Sequence, residues 1–287
     1  MDILEPSGVA WGMVKALLSS FKRPAAVSTL PAVTGQLECV VQVGHLAAYA
    51  QIGGFEVGQV APLTYPQLLT MPLVMAYVGS RHCPWPAMGT VHLANAITQH
   101  QPVQVGDALR VQLQSGQLLA HDKGQAFTLE LSIWRQRDGM LLWQAQQTLL
   151  RVGVSAPRGA PWLEDSEPTV LQHHANFEAP PDIGRRYARI SQDYNPIHWS
   201  ALSAKLLGFK SPMAHGLWTQ ARALALLHPQ GVPQAATLTT LFKRPLRLPA
   251  QASVWAAKSS PHGSAFEVRD ALGHHVHLKS QLSTHTS

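Results

Sequence analysis

The sequence predicts an α+β fold made of two similar halves, and three of its features carry that prediction. Phe127-Thr-Leu129-Glu-Leu131-Ser-Ile133 alternates large apolar with polar residues, the period of a half-buried antiparallel strand. Leu217 to Leu227 is apolar all round with few charges, the pattern of a buried central helix. Between these stretches, Ser155-Ala-Pro-Arg-Gly-Ala-Pro161 and Glu164-Asp165-Ser-Glu167-Pro168 break the periodicity and read as a linker. The 287 residues amount to two domains at about 150 residues each, with expected bounds of 1–155 and 156–287.

Taken in order, the halves run in parallel. Each opens with a helical stretch holding a tyrosine, Leu46-Ala-Ala-Tyr49-Ala in the first and Arg186-Tyr187-Ala-Arg-Ile190 in the second. A proline-rich passage and an apolar helix follow in both. Next comes a strand that reaches a proline and a turn: Ile97 to Pro102 and Gly106-Asp107, then Leu241-Phe-Lys-Arg-Pro245 and Pro249. Alternating strands close each half, joined by hairpin turns at Asp138-Gly139 and Leu272-Gly273. One long helix followed by an antiparallel meander, twice over, is the expectation. A repeat this long suggests domain duplication, not a solenoid.

Composition excludes several classes. With 46% hydrophobic and 13% charged residues, the chain can bury a full core and is not a disordered or low-complexity polymer. No apolar run approaches 18 residues, so no transmembrane helix is expected. The opening Met1-Asp2-Ile3-Leu4-Glu5 is acidic where a signal peptide is basic, and Thr284-His285-Thr286-Ser287 is not a peroxisomal tripeptide; a cytoplasmic location is expected. Cys39 and Cys83 alone cannot build a disulfide scaffold or a cysteine zinc site. The histidines at 173, 174, 274, 275 and 277 lack matched carboxylates, so no metal is expected. Of the net charge of +6, most sits between Arg185 and Arg247, where nine basic residues face only Asp193. No nucleic-acid motif accompanies them, which leaves a small phosphorylated ligand or a solvated basic surface.

The densest polar segment is Asp193-Tyr-Asn195-Pro196-Ile-His198. Pro196 disfavours helix at Asn195, so a turn is expected from Asp193, with helix resuming near Trp199 and ending at Gly208. A carboxylate and an imidazole on either side of a rigid turn can hold and activate a water. They can equally be turn formers and a helix-start residue. Ser211-Pro-Met-Ala214-His215-Gly216 then precedes the apolar helix. Gly216 at that N-terminus exposes unpaired N–H groups that can stabilise an oxyanion, or it serves close packing. His215 reads as structural.

Asp193-x-Asn-Pro-x-His198, preceded by Tyr187-Ala-x-Ile-Ser191 and followed by Ala214-His215-Gly216, resembles the hydratase-2 motif of MaoC-like dehydratases. Met88-Gly-Thr-Val-His92-Leu-Ala-Asn95 and Pro102-x-x-x-Gly106-Asp107 are similar to the non-catalytic first half of the family's double-hotdog members. The resemblance implies two hotdog domains, each a long central helix wrapped by an antiparallel sheet, the second one catalytic. It implies that Asp193 and His198 bind the catalytic water and that the Gly216 N–H meets the thioester oxygen. One departure is Gln192, where the family often has glycine; a positive φ there would strain the loop. In the first half, Gln51-Ile-Gly53-Gly54-Phe55-Glu56 replaces the motif, so one site per chain is expected. Gly53-Gly54 and the loop to Val60 would leave room for an acyl chain, with Leu68, Leu69 and Met71 as lining or core.

The expected reaction is reversible hydration of trans-2-enoyl-CoA to (R)-3-hydroxyacyl-CoA, without metal or redox cofactor. The alternatives are the same chemistry on an acyl-carrier-protein or dicarboxylic CoA thioester, a non-catalytic acyl-thioester binder, or a thioesterase. The expected partner is the acyl-CoA substrate, with no nucleic acid or membrane and a homodimer left open. Asn195, Lys243 and Arg244 are the substrate-binding candidates. The two cations would lie on a strand and point to opposite faces, so at most one meets the CoA phosphates. Arg185, Arg186, Lys205 and Lys210 are further candidates. A side chain at Gly216 would stand between the helix and the thioester.

Overall fold

The computed structural model describes residues 2–4, 24–86, 89–164, 169–206, 209–258 and 263–285. Met88, Asp165 to Pro168, Leu207 and Gly208 lie outside these, and with them the expected C-cap at Gly208. The described strands form one mostly antiparallel sheet. In the first half these are β1 (Asp2–Leu4), β2 (Val33–Val40), β3 (Thr90–Gln99), β4 (Ala108–His121), β5 (Gly124–Arg135) and β6 (Leu141–Val152). The second holds β8 (Gln172–Ala179), β9 (Ala236–Phe242), β10 (Ala250–Ala256), β11 (Gly263–Asp270) and β12 (Val276–Thr284). Between them β7 (Ala160–Pro161) pairs with β4, so part of the expected linker is tied to the sheet.

The strand order is β1-β2-β4-β5-β6-β3-β9-β12-β11-β10-β8. Read outward from the β3–β9 pair, each half has the same order, which is the signature of the expected duplication. The expected meander needs correction on two counts. Each half opens with a strand, β2 or β8, ahead of its first helix. The strand after the second helix, β3 or β9, pairs with the last strand of its half rather than the next one. That swap brings β3 and β9 together in the middle, paired from Ala94↔Leu241 to Gln99↔Ala236.

Each half also carries two principal helices. α1 (Val43–Gly53) and α3 (Ile183–Ser191) hold the expected tyrosines, and Tyr49 and Tyr187 are buried. α2 (Pro66–Val78) and α5 (Gly216–Leu227) are the long apolar helices, and a short α4 (Ala201–Leu206) follows the polar turn. One continuous core of buried residues takes in both long helices and both halves of the sheet. The Trp218 indole on α5 donates to the Ile52 carbonyl at 2.9 Å, and Gln99 on β3 donates to the carbonyls of Val232 and Gln234 at 2.8 and 2.9 Å. The halves are thus joined by backbone pairing, apolar contact and buried hydrogen bonds together. No helix of the described residues is long and apolar enough to cross a membrane.

Ile97 and Leu238 face each other directly across the β3–β9 seam and both are fully buried. Ile97→Ala should cost about 2–5 kcal/mol, the range for a large-to-small core change. Because the core runs through the seam, the variant should still unfold in urea as a single transition at a lower midpoint. Two separated transitions would mean that the halves are energetically independent.

Candidate active site

The site is built at the end of α3. Helix α3 is short and strongly two-faced, so its inner face alone anchors it. Its second residue, Gly184, touches the backbone of the turn that carries His198, and a Cβ there would overlap the His198 carbonyl oxygen. The same position in α1 is Gly44, where a Cβ would meet nothing. Glycine is required only where the polar turn exists. Gly184 was not singled out from sequence; a glycine in the first turn of an amphipathic helix was its signal.

Both helices end in a left-handed residue, Gly54 at φ 87° and Gln192 at φ 60°. Gln192 therefore takes the positive φ that the resemblance suggested, and it keeps the helix-ending N–H bond to Ala188 at 2.9 Å. The next residue is Phe55 in the first half and Asp193 in the second. Phe55 is buried against Gly53, and the Arg222 guanidinium fills the space beside Gly54. The expected acyl room at Gly53-Gly54 is thus occupied. Leu68 and Met71 are core residues and Leu69 is partly buried.

After Asp193 the backbone turns sharply. Asp193 Oδ1 accepts from the Asn195 N–H at 3.2 Å, and Asn195 Oδ1 accepts from the Ile197 N–H at 3.4 Å. Asn195 thereby caps the 3₁₀ turn Pro196–His198, so its side-chain oxygen shapes the turn. His198 is buried, and its Nδ1 donates to the Met213 carbonyl at 2.7 Å. A carbonyl can only accept, so Nδ1 carries the proton and Nε2 is the open acceptor.

His215 proves to be part of the same cluster. Its ring stacks on His198 with centroids 3.6 Å apart, and its Nε2 donates to the Asp193 carbonyl at 3.1 Å. The Asp193 carboxylate Oδ2 lies 3.7 Å from the same nitrogen. One ligand-type atom from each of Asp193, His198 and His215 falls within 4.8 Å of the others. That separation suits a bridging water, which reaches two partners at about 2.8 Å each. Stacked, nearly parallel rings direct their lone pairs side by side, whereas a tetrahedral cation needs them convergent. The arrangement fits a water better than a metal. Tyr187 packs 5.0 Å from the His215 ring with its hydroxyl buried and unpaired, while its counterpart Tyr49 donates to Thr64 at 2.7 Å.

Burial keeps both rings neutral. It lowers the His198 pKa against the opposing pull of Asp193 and of the Met213 carbonyl. For His215, burial and then the neighbouring His198 push it down to about 3. Gly216 is the first residue of α5, so its N–H has no partner within the helix. A Cβ on Gly216 would sit 2.9 Å from the Phe242 ring, so the obstacle there is Phe242 and not the expected thioester space.

The two expected cations are placed differently from the prediction. Strand β9 ends at Phe242, so Lys243 and Arg244 lie beyond it and strand alternation does not order them. Both N–H groups reach back to the His277 carbonyl. Lys243 is ion-paired with Glu164, and Arg244 meets His275 Nδ1 at 3.0 Å. Arg186 lies 3.9 Å from Asp182.

An acid and an imidazole aimed at one point beside a glycine-opened helix, under a long helix and an antiparallel sheet, define a dehydratase-type site on a hotdog-like fold. The MaoC like domain family matches residues 164–259, the stretch that holds all three elements. The chain is 34% identical over 245 residues to 3-hydroxyacyl-thioester dehydratase X of Mycobacterium tuberculosis, covering 82% of this chain and 86% of that one. A crystal structure of HtdX from the same organism superposes with a TM-score of 0.75 at 30% identity, over 88% of this chain and all of the other. A conserved hypothetical protein of M. tuberculosis described as a double hotdog shares the fold at a TM-score of 0.59, with 14% identity over 92% of this chain and 96% of that one. The chain belongs to the MaoC-like dehydratase family, and it is a hydro-lyase of that family.

Two outcomes follow from the geometry. Gln192→Gly should stabilise the fold by about 0.5–1 kcal/mol by relieving the left-handed strain, with activity retained. A lower urea midpoint would contradict the strain. The second concerns acid. His198 and His215 titrate below their unfolded value of 6.5, so below that pH the unfolded chain binds protons that the folded chain refuses. Stability should therefore fall from about pH 7 to about pH 5. His215→Gln should flatten that slope, and an unchanged slope would show that His215 is not held neutral.

Proposed function

We propose that the chain interconverts a 3-hydroxyacyl-CoA and a trans-2-enoyl-CoA, with Asp193, His198 and the Gly216 N–H as its machinery. The reading includes two hotdog units, 1–155 and 156–287, the second of which is catalytic. The observation that carries it is the open Nε2 of His198, left as an acceptor by the Nδ1 bond to Met213 and set close to the Asp193 carboxylate. Its relative's name, a 3-hydroxyacyl-thioester dehydratase, supports the substrate class. Preference for the R isomer rests on the family resemblance.

In the hydration direction, a water sits between Asp193 and His198 Nε2. His198 takes one proton as the water oxygen bonds to Cβ. The π electrons of the enoyl group move onto the thioester oxygen, where the Gly216 N–H and the positive end of α5 receive the charge. A proton returned from His198 to Cα completes the addition, and Asp193 orients the water throughout. His215 contributes by holding the Asp193 backbone and by shielding His198, staying neutral itself. Gln192 adopts the conformation a glycine would take, so its presence strains the loop without moving Asp193 out of place; this favours an enzyme over an inert binder. Lys243 and Arg244 are the proposed contacts for the CoA phosphates. A phosphate at Lys243 would replace the Glu164 carboxylate.

Hydration of crotonyl-CoA, followed as loss of the enoyl-thioester absorbance, tests this reading. Asp193→Asn or His198→Ala should lower kcat by at least about a hundredfold, the scale of general acid–base catalysis, with the fold intact. Near wild-type turnover in either variant would remove that residue from the mechanism.

A further inference from the structure

One buried titratable group of the first half is not used by this mechanism. His92 lies on β3 at an irregularity, where the pairing with β6 shifts register between His92 and Ala94. Such a bulge turns a side chain away from the direction that regular alternation would give it. Here the ring is turned against Phe242, with centroids 4.7 Å apart. Phe242 is also the ring against which Gly216 packs, at 2.9 Å from its Cβ position. His92 and the N-terminus of α5 therefore flank one aromatic ring, although they come from different halves of the chain.

His92 Nε2 is shut off from solvent and has no hydrogen-bond partner in the described residues. Leaving a buried donor or acceptor unpaired costs about 1–3 kcal/mol, so such an atom calls for a partner that arrives from outside. The group is also held neutral. Burial pushes its pKa down to about 4, against the pull of the Ala94 backbone and of the Asp193 carboxylate. Asp193 is thus close enough to act on it electrostatically. A neutral imidazole with a free Nε2 can donate a hydrogen bond without a counter-ion.

We propose that His92 is a further substrate-contacting residue, whose Nε2–H donates to the thioester oxygen alongside the Gly216 N–H. The oxyanion is then held by one donor from each half, and the first half takes part in the reaction although it lacks the Asp-His motif. This rests on the dehydratase reading above, which it deepens.

The test compares His92→Phe, which keeps a ring against Phe242 but removes the donor, with His92→Gln, which restores an N–H. Should His92→Phe fail to fold, His92→Met supplies the non-donor arm. In the crotonyl-CoA assay on the full chain, the non-donor variant should lose about a hundredfold in kcat, the scale of one oxyanion donor, with KM almost unchanged. His92→Gln should recover much of the loss and keep the wild-type pH profile, because His92 donates without titrating. A non-donor variant with near wild-type kcat, or a loss confined to KM, overturns the proposal. So does a Gln variant no better than the non-donor one. Asp193→Asn run in parallel separates the two readings. If it is inactive while His92→Phe is fully active, only the His92 proposal falls. If the wild type is inert toward crotonyl-CoA and longer trans-2-enoyl-CoAs, the dehydratase reading falls and this one with it.

Discussion

The hydrogen bond from His198 Nδ1 to the Met213 carbonyl, 2.7 Å long, fixes the imidazole tautomer and so decides which nitrogen can accept a proton. Much of the local structure exists to hold its two ends. Asn195 caps the turn that delivers His198, and Gly184 lets α3 lie directly on that turn. On the acceptor side, the Met213 N–H donates to the Ile197 carbonyl and the Ala214 N–H to the Leu246 carbonyl, at 3.1 and 2.8 Å. The strand leading into α5 is thereby locked between the turn and the second half of the sheet. Neutrality completes the arrangement. A stacked, buried His215 makes a second positive charge at 3.6 Å costly, and an uncharged His198 is the form that can act as a base.

Comparing the halves shows how one scaffold holds both a reactive and an unreactive version of the same corner. Tyr49 and Tyr187, Gly54 and Gln192, Phe55 and Asp193 occupy matching places at the ends of α1 and α3. In the first half the corner is filled: Phe55 is buried in it and Arg222 from α5 lies against Gly54. In the second half the corner is left polar, with unpaired buried atoms on Tyr187 and His215. Native cores rarely leave such atoms unsatisfied, and sites that bind water or substrate are where they collect. The cost is carried by the surrounding core, which runs through both halves without interruption.

The parts of this that were legible in the sequence are the local ones. Period-two alternation marked β5, turn glycines marked both hairpins, and the motif marked Asp193, His198 and Gly216, because each signal lies within a few neighbouring residues. β8 was missed: Gln172-His-His-Ala-Asn-Phe-Glu-Ala is polar and mostly exposed along its length, so it shows no apolar alternation. The β3–β9 seam was missed because strand order depends on pairings between distant segments. Lys243 and Arg244 were misplaced since β9 ends one residue before them, and the boundary of a strand is set by its partners, not by its own composition. His92 and His215 show the same limit. Nothing in their own neighbourhoods says that one is turned by a bulge toward the second half and the other is stacked on His198.

The central claim is that His198 is a neutral imidazole protonated on Nδ1. Nitrogen-15 NMR of the histidine side chains, assigned by loss of the His198 signals in His198→Ala, measures this directly. The account predicts a protonated Nδ1 and an unprotonated Nε2 for His198 that persist below the ordinary histidine pKa of about 6.5. A proton on Nε2, or a doubly protonated ring at about pH 6, would contradict it.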